Sequence, residues 1–161
     1  MKPRSSTTSA PGIRALLSYR LHVVANLLSR GAELRYRREF GVSLWEWRTI
    51  ALLGGVAEPQ SLNALASAAG IDKSQMSRVV SGLAARRLVL RSIDAEDARG
   101  VRLTLTRAGR ALYQGLIRAA AERNEAFLDC LGAREREAFD AALEKLAARA
   151  RELIGREREK A

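Results

Sequence analysis

Cysteine and histidine each occur once in this chain of 161 residues, and aromatic residues make up only 5% of it. The single cysteine, Cys130, rules out an intrachain disulfide and fits a reducing cytoplasm. One histidine, His22, and no carboxylates clustered at ligand spacing leave little with which to hold a metal ion. No apolar run approaches the roughly 18 residues that a membrane span needs. A nucleophile–base constellation and a glycine-rich phosphate loop are both missing, so the residues offer nothing to carry catalysis, and no cofactor is implied. No strand pattern is aromatic-rich, which removes the usual platform for stacking RNA bases. Met1 to Gly12 is rich in Ser, Thr and Pro without the apolar centre of a secretory signal, and reads as a disordered leader.

What is present is positive charge and helical periodicity. The formal net charge is +10, which favours a polyanionic partner. Residues 73–91 hold Lys73, Arg78, Arg86, Arg87 and Arg91 with no acid among them. Towards the end of the chain both signs are abundant, the mark of solvated helix faces.

From Ile13 to about Glu39, Ile13, Leu16, Leu17, Leu21, Val24, Leu27, Leu28 and Leu34 step by threes and fours, which predicts a long amphipathic helix. Such a helix is too long for one small domain to cover, so part of its stripe is expected to meet another chain. Ser43-Leu44-Trp45-Glu46 is a capping-box pattern opening a second helix to about Gly54, with Leu44, Trp47, Ile50, Ala51 and Leu53 inward. Glu58-Pro59-Gln60 reads as a loop. Ser61 can cap a short helix from Leu62 to Ala69, with Leu62, Leu65 and Ala66 inward.

Gly70 then gives a tight turn the freedom it needs, and Asp72 can cap a helix to about Arg87. Met76, Val79, Val80 and Leu83 form its apolar face. Lys73, Ser74, Gln75, Ser77 and Arg78 lie near its start and off that face. Two helices across a glycine turn, with Gln, Ser and Arg at the exposed start of the second, have the makeup of a DNA-reading unit. Such side chains can hydrogen-bond to base edges in a major groove. Residues 88–93 and 101–105 then read as two strands joined by a charged loop, a wing. Thr106 can cap a long helix to about Leu131. After Gly132 a last helix carries Phe139, Leu143, Leu146, Ala150 and Leu153 at near-heptad spacing, a stripe that can serve as core, dimer seam or both.

At the wing the pattern becomes specific. Asp97-Ala98-Arg99, followed by Leu103-Thr104 or Leu105-Thr106, resembles the D-x-R…L-T signature of MarR-family transcription regulators. Leu62-Asn63-Ala64-Leu65-Ala66 and the run from Asp72 to Val80 resemble that family's helix-turn-helix, and Leu44 to Leu53 resembles its preceding helix. The resemblance runs from Ile13 to Ile154 with the elements in the same order. It implies a mainly α fold with a small β-wing. In that arrangement residues 1–12 are a leader, 13–42 an N-terminal dimerisation helix, 43–105 a winged helix-turn-helix, 106–155 C-terminal dimerisation helices and 156–161 a tail. It further implies a two-fold dimer on a palindromic double-stranded operator, usually a repressor released by a small ligand.

The site residues follow from both lines of reasoning. Ser74, Gln75, Ser77 and Arg78 are assigned to base edges and nearby phosphates, and Lys73 to a phosphate. Arg99 is assigned to the wing tip in a minor groove, where negative potential attracts arginine; its alternative is a structural partner for Asp94 or Asp97. Arg86, Arg87, Arg91 and Arg102 are open between phosphate contacts and solvated surface charges. For a small-molecule effector the resemblance points to the crevice between dimer helices and winged lobe, where Tyr19, His22, Trp45, Trp47 and Arg48 are the candidates. Aromatic walls and one cation would suit an aromatic carboxylate. Trp47 also fits the core pattern, and His22 an interface. Cys130 reads as a small apolar filler. The competing function is an architectural, ligand-independent DNA binder.

Overall fold

The computed structural model describes residues 12–93 and 101–160. After a 3-10 turn at Ile13–Ala15, the elements are α1 (Leu17–Phe40), α2 (Leu44–Gly54), β1 (Gln60–Ser61), α3 (Leu62–Ala69), α4 (Lys73–Ala85), β2 (Val89–Ile93), β3 (Val101–Leu105), α5 (Arg107–Leu128) and α6 (Ala133–Glu159). They fall into two compact units, divided between Ile117 and Arg118. The architecture is mostly helical with one small antiparallel sheet, as the sequence predicts.

In the first unit, helices α2, α3 and α4 pack around a core whose least accessible side chains include Val42, Ile50, Leu65, Met76, Leu83 and Leu116. Sealing each of these from water contributes about 1.5–3 kcal/mol. The helix starts form where their caps were expected. The Glu46 amide donates to Ser43 Oγ at 3.2 Å and the Ser43 amide to Glu46 Oε2 at 2.8 Å, a complete capping box for α2. Ser61 Oγ accepts from Ala64 N–H at 3.1 Å, and Asp72 Oδ1 from Gln75 N–H at 2.8 Å. Gly70 takes the left-handed conformation, φ 70°, that turns the chain from α3 into α4.

One expectation changes here. The segment read as a loop before α3 contributes a strand: Gln60 pairs with Leu103 and Ser61 with Arg102, so the sheet has three strands in the order β1-β3-β2. Two polar residues carry no alternation, and only the free edge of β3 selects them. The long α1 stripe is largely uncovered within the chain, in keeping with its length. Leu34 is 64% exposed and Leu27 67%, while Ala32 and Tyr36 are buried. Tyr36 sets its ring 5.3 Å from that of Trp47, centroid to centroid, and it is this aromatic contact that docks α1 on α2.

Strands β2 and β3 pair from Val89↔Leu105 to Ile93↔Val101, with Val89, Leu103 and Leu105 buried. In the second unit, Arg136 braces the turn between α5 and α6. Its Nε donates to Leu131 O at 3.2 Å and its guanidinium reaches Glu125 at 3.4 Å and Asp129 at 3.6 Å. Cys130 is exposed rather than a filler, its thiol directed at Phe127 O. Along α6, Phe139, Leu143, Leu146 and Leu153 are exposed.

Candidate nucleic-acid interface

The candidate reading surface is built by the periodicity of α4. At about 100° per residue, Met76, Val80 and Leu83 fall on one side of the helix. All three are buried. Ser74 and Arg78 occupy the opposite side and are exposed, Lys73 is exposed in the first turn, and Ser77 and Gln75 are half-buried at the margins. Behind this surface the buried Thr49 hydroxyl donates to Trp45 O at 2.8 Å and lies 3.5 Å from Met76 Sδ, so α2 holds the start of α4 from inside. The side chains of Lys73, Ser74, Gln75 and Arg78 have no partner among the described residues. The five expected residues on α4 are therefore brought together at the start of the helix, with Ser74 and Arg78 facing away from the core; Arg99, with Asp94 and Asp97, lies outside the described residues.

Ser81, which the sequence reading passed over, links this surface to the wing. Arg91 on β2 donates through Nη2 to Ser81 Oγ at 2.8 Å, and Ser81 Oγ donates to Ser77 O at the same distance. The other open arginines also separate. Arg86 pairs with Glu46 Oε1 at 2.9 Å, and Arg102 Nη1 donates to Pro59 O at 3.5 Å. The Arg87 guanidinium has no partner among the described residues. The pattern that finds Ser81 is its one-turn spacing from Ser77, but its partner on β2 is visible only in three dimensions.

The effector candidates divide. The Arg48 guanidinium stacks over the Trp45 ring at 4.8 Å and Nη2 donates to Ser29 Oγ on α1 at 3.2 Å. Trp47 and Arg48 line an open groove of about 400 Å³, with Ala51 and Leu52 of α2 and Ala68 and Ala69 of α3. Tyr19 and His22 lie earlier on α1 and do not line it; His22 Nε2 lies 2.8 Å from Asn26 Nδ2 on its own helix. At the other end of α1, the Arg35 guanidinium and then that of Arg38 hold the Glu39 carboxyl below the usual carboxylate range. Among the described residues no group of His, Cys, Asp and Glu could hold a metal ion, and no helix is long and apolar enough to cross a membrane.

Residues 40–100, which span α2 to the wing, match the family model described as MarR family. This segment is similar to the winged helix-turn-helix of the MarR family. Solved structures extend the likeness to most of the chain. A MarR/EmrR family transcriptional regulator from Acinetobacter sp. ADP1 is 25% identical with a TM-score of 0.79, covering 88% of this chain and 99% of its own. A MarR family transcriptional regulator from Silicibacter pomeroyi is 27% identical with a TM-score of 0.71, covering 86% and 92%. The S. aureus MepR–DNA complex is 21% identical with a TM-score of 0.76, covering 83% and 97%. No curated protein sequence matches. These MarR-family relatives are transcriptional regulators rather than enzymes, and the winged helix-turn-helix they share with this chain is a DNA-binding fold.

Proposed function

We propose that this protein is a homodimeric, sequence-specific repressor of the MarR family that acts in the cytoplasm and is released from its operator by a small ligand. The observation that carries the reading is the start of α4: five polar or cationic side chains gathered in the first turns of a helix whose apolar side is locked into the core. MepR, a structure of the same fold, was solved as a DNA complex. Ser74, Gln75, Ser77 and Arg78 then read base edges, Lys73 holds a phosphate and Arg99 enters the flanking minor groove. A second copy is the partner for the apolar side of α1, where Leu17 is 50%, Val24 52% and Leu27 67% exposed along one helix face. The effector is an aromatic carboxylate, held in the groove beside Trp47 with Arg48 as its counter-charge.

The deciding experiment is fluorescence anisotropy on DNA from immediately upstream of its own gene, beside a scrambled duplex, at about physiological salt. A preference of roughly a thousandfold, lost in Arg78→Ala, establishes specific reading by α4. Equal weak binding to both duplexes would replace this reading with an architectural, ligand-independent DNA binder. Tryptophan fluorescence on addition of aromatic acids tests the effector, and no saturable change across a panel removes it.

A further inference from the structure

Arg91 leaves the hairpin from the side that packs on the core. In the β2–β3 register it stands opposite Leu103, and directly opposed residues share one face of a sheet. Val89, Leu103 and Leu105 on that face are buried, whereas Arg91, nearer the wing tip than Val89, is exposed. Its side chain lines a crevice of about 160 Å³ between the hairpin and α4, with Ser77, Val80, Val101 and Leu103. The guanidinium ends at α4, where Nη2 donates to Ser81 Oγ at 2.8 Å.

Ser81 is set up to receive it. A serine hydroxyl has one hydrogen, and here that hydrogen goes to Ser77 O at 2.8 Å, so the lone pairs are left to accept. At about 100° per residue, Ser81 falls between Ser77 and Arg78 on the outward side of α4. Arg91 is thereby delivered, from another element, to the strip that carries Ser74 and Arg78. A neutral hydroxyl holds it there without cancelling its charge. No carboxylate among the described residues pairs with Arg91, and α3, α4 and β3 contain no acid. Its other N–H donors have no partner among the described residues. An arginine whose only task was to fasten the wing would gain more from a carboxylate than from a serine.

We propose that Arg91 clamps the phosphate strand separating the major groove read by α4 from the minor groove entered by the wing, and that Ser81 is the residue that positions it. The inference rests on the DNA-binding reading above. A duplex with the start of α4 in one groove and the wing tip in the next carries one sugar–phosphate strand across the space between them. Arg91 lies in that space, and its planar fork suits a phosphate. Such a contact adds affinity on any sequence and fixes the register of α4 on the duplex.

The test is anisotropy on the upstream and scrambled duplexes across roughly 50–300 mM KCl, with a thermal melt of each variant. Arg91→Gln should lower the slope of log K against log salt by about 2 on both duplexes, one phosphate from each protomer of the dimer. Ser81→Ala keeps the charge and should keep the slope, yet bind roughly tenfold more weakly, because each protomer must then immobilise a loose arginine on binding. Ser81→Thr keeps the hydroxyl and should bind as wild type. In the Arg91→Gln background, Ser81→Ala should add no further loss. A folded Arg91→Gln with unchanged slope, beside a reduced slope in Lys73→Ala, overturns the clamp and leaves the reading helix standing. So does a Ser81→Ala variant that binds as wild type, whatever its melting temperature, and this variant decides the matter should Arg91→Gln fail to fold. A wild-type chain that binds neither duplex overturns both readings.

Discussion

Arg86 and Glu46 tie the far end of α4 to the first turn of α2. Arg86, the C-cap residue of α4, donates through Nη1 to Glu46 Oε1 at 2.9 Å, while Oε2 of the same carboxylate accepts the Ser43 amide at 2.8 Å. One carboxylate thus completes the cap of the helix that carries Trp47 and Arg48 and anchors the helix that presents the reading surface. The Thr49–Met76 contact joins the same two helices near the other end of α4. A displacement of α2 would therefore be felt at both ends of α4, a direct physical route from the Trp47–Arg48 groove to the reading surface.

Glu46→Ala should destabilise the chain by about 1–2 kcal/mol. Losing its half of the capping box costs on the order of 1 kcal/mol. The ion pair adds only about 0.2–1 kcal/mol, because the Arg86 side chain is 41% exposed and solvent screens it. Arg86→Gln should cost less than Glu46→Ala. Urea denaturation of both variants and the double mutant isolates the pair, and equal losses in the two single variants would contradict the shared-carboxylate account.

Two glycines should answer oppositely to alanine. A Cβ on Gly109 would lie 2.0 Å from Leu88 O, a backbone atom that also accepts from Thr106 N–H, so α5 cannot approach the sheet with any side chain there. Gly109→Ala should cost at least about 2 kcal/mol. Gly82, in the middle of α4, meets nothing within 4 Å. Gly82→Ala should stabilise by about 0.5–1 kcal/mol, through helix propensity alone. Thermal melts of both variants check the pair of signs.

Periodicity and caps made much of this architecture legible in advance. Leu62–Ala69 and Val101–Leu105 have the expected bounds, and Ser43, Ser61, Asp72 and Thr106 cap as their residue types require. These signals are local, carried by residues three or four apart. What stayed hidden depends on partners far away in the chain. Gln60 and Ser61 become a strand only because β3 offers an edge. Tyr36, rather than Leu34, docks α1 because Trp47 lies opposite it. Within the candidate interface, the α4 residues could be named from spacing, but Ser81 could not be singled out without Arg91 beside it. The left-handed Arg87, φ 56°, has no sequence signal at all, since the usual marker of that conformation is the glycine it replaces.

Charge placed in the exposed stripe of α1 should separate the proposed dimer. Val24 and Leu27 are 52% and 67% exposed in the single chain, so neither contributes much to the folded monomer. Val24→Glu/Leu27→Glu should leave the fold intact and move the sedimentation coefficient to that of a monomer. It should also weaken DNA binding, since a palindromic site gains from two linked reading helices. A variant that sediments as wild type would show that the stripe is not the seam.

Within the reading surface, Arg78 and Lys73 should fail in different ways. Arg78 is long enough to place its planar fork against a guanine edge, so Arg78→Ala should cost about 1–3 kcal/mol on the operator and relax the preference at one base position. Lys73 stands in the first turn of α4, beside the Asp72 cap, where a cation meets the backbone rather than the bases. Lys73→Ala should weaken operator and scrambled DNA alike and reduce the salt slope by about 2, one phosphate from each protomer of the dimer. Binding measured on an operator series with each position substituted separates the two. If Lys73→Ala changes the base preference and Arg78→Ala does not, α4 lies in the groove with its other edge towards the bases, and Ser77 and Ser81, rather than Ser74 and Arg78, become the side chains to test next.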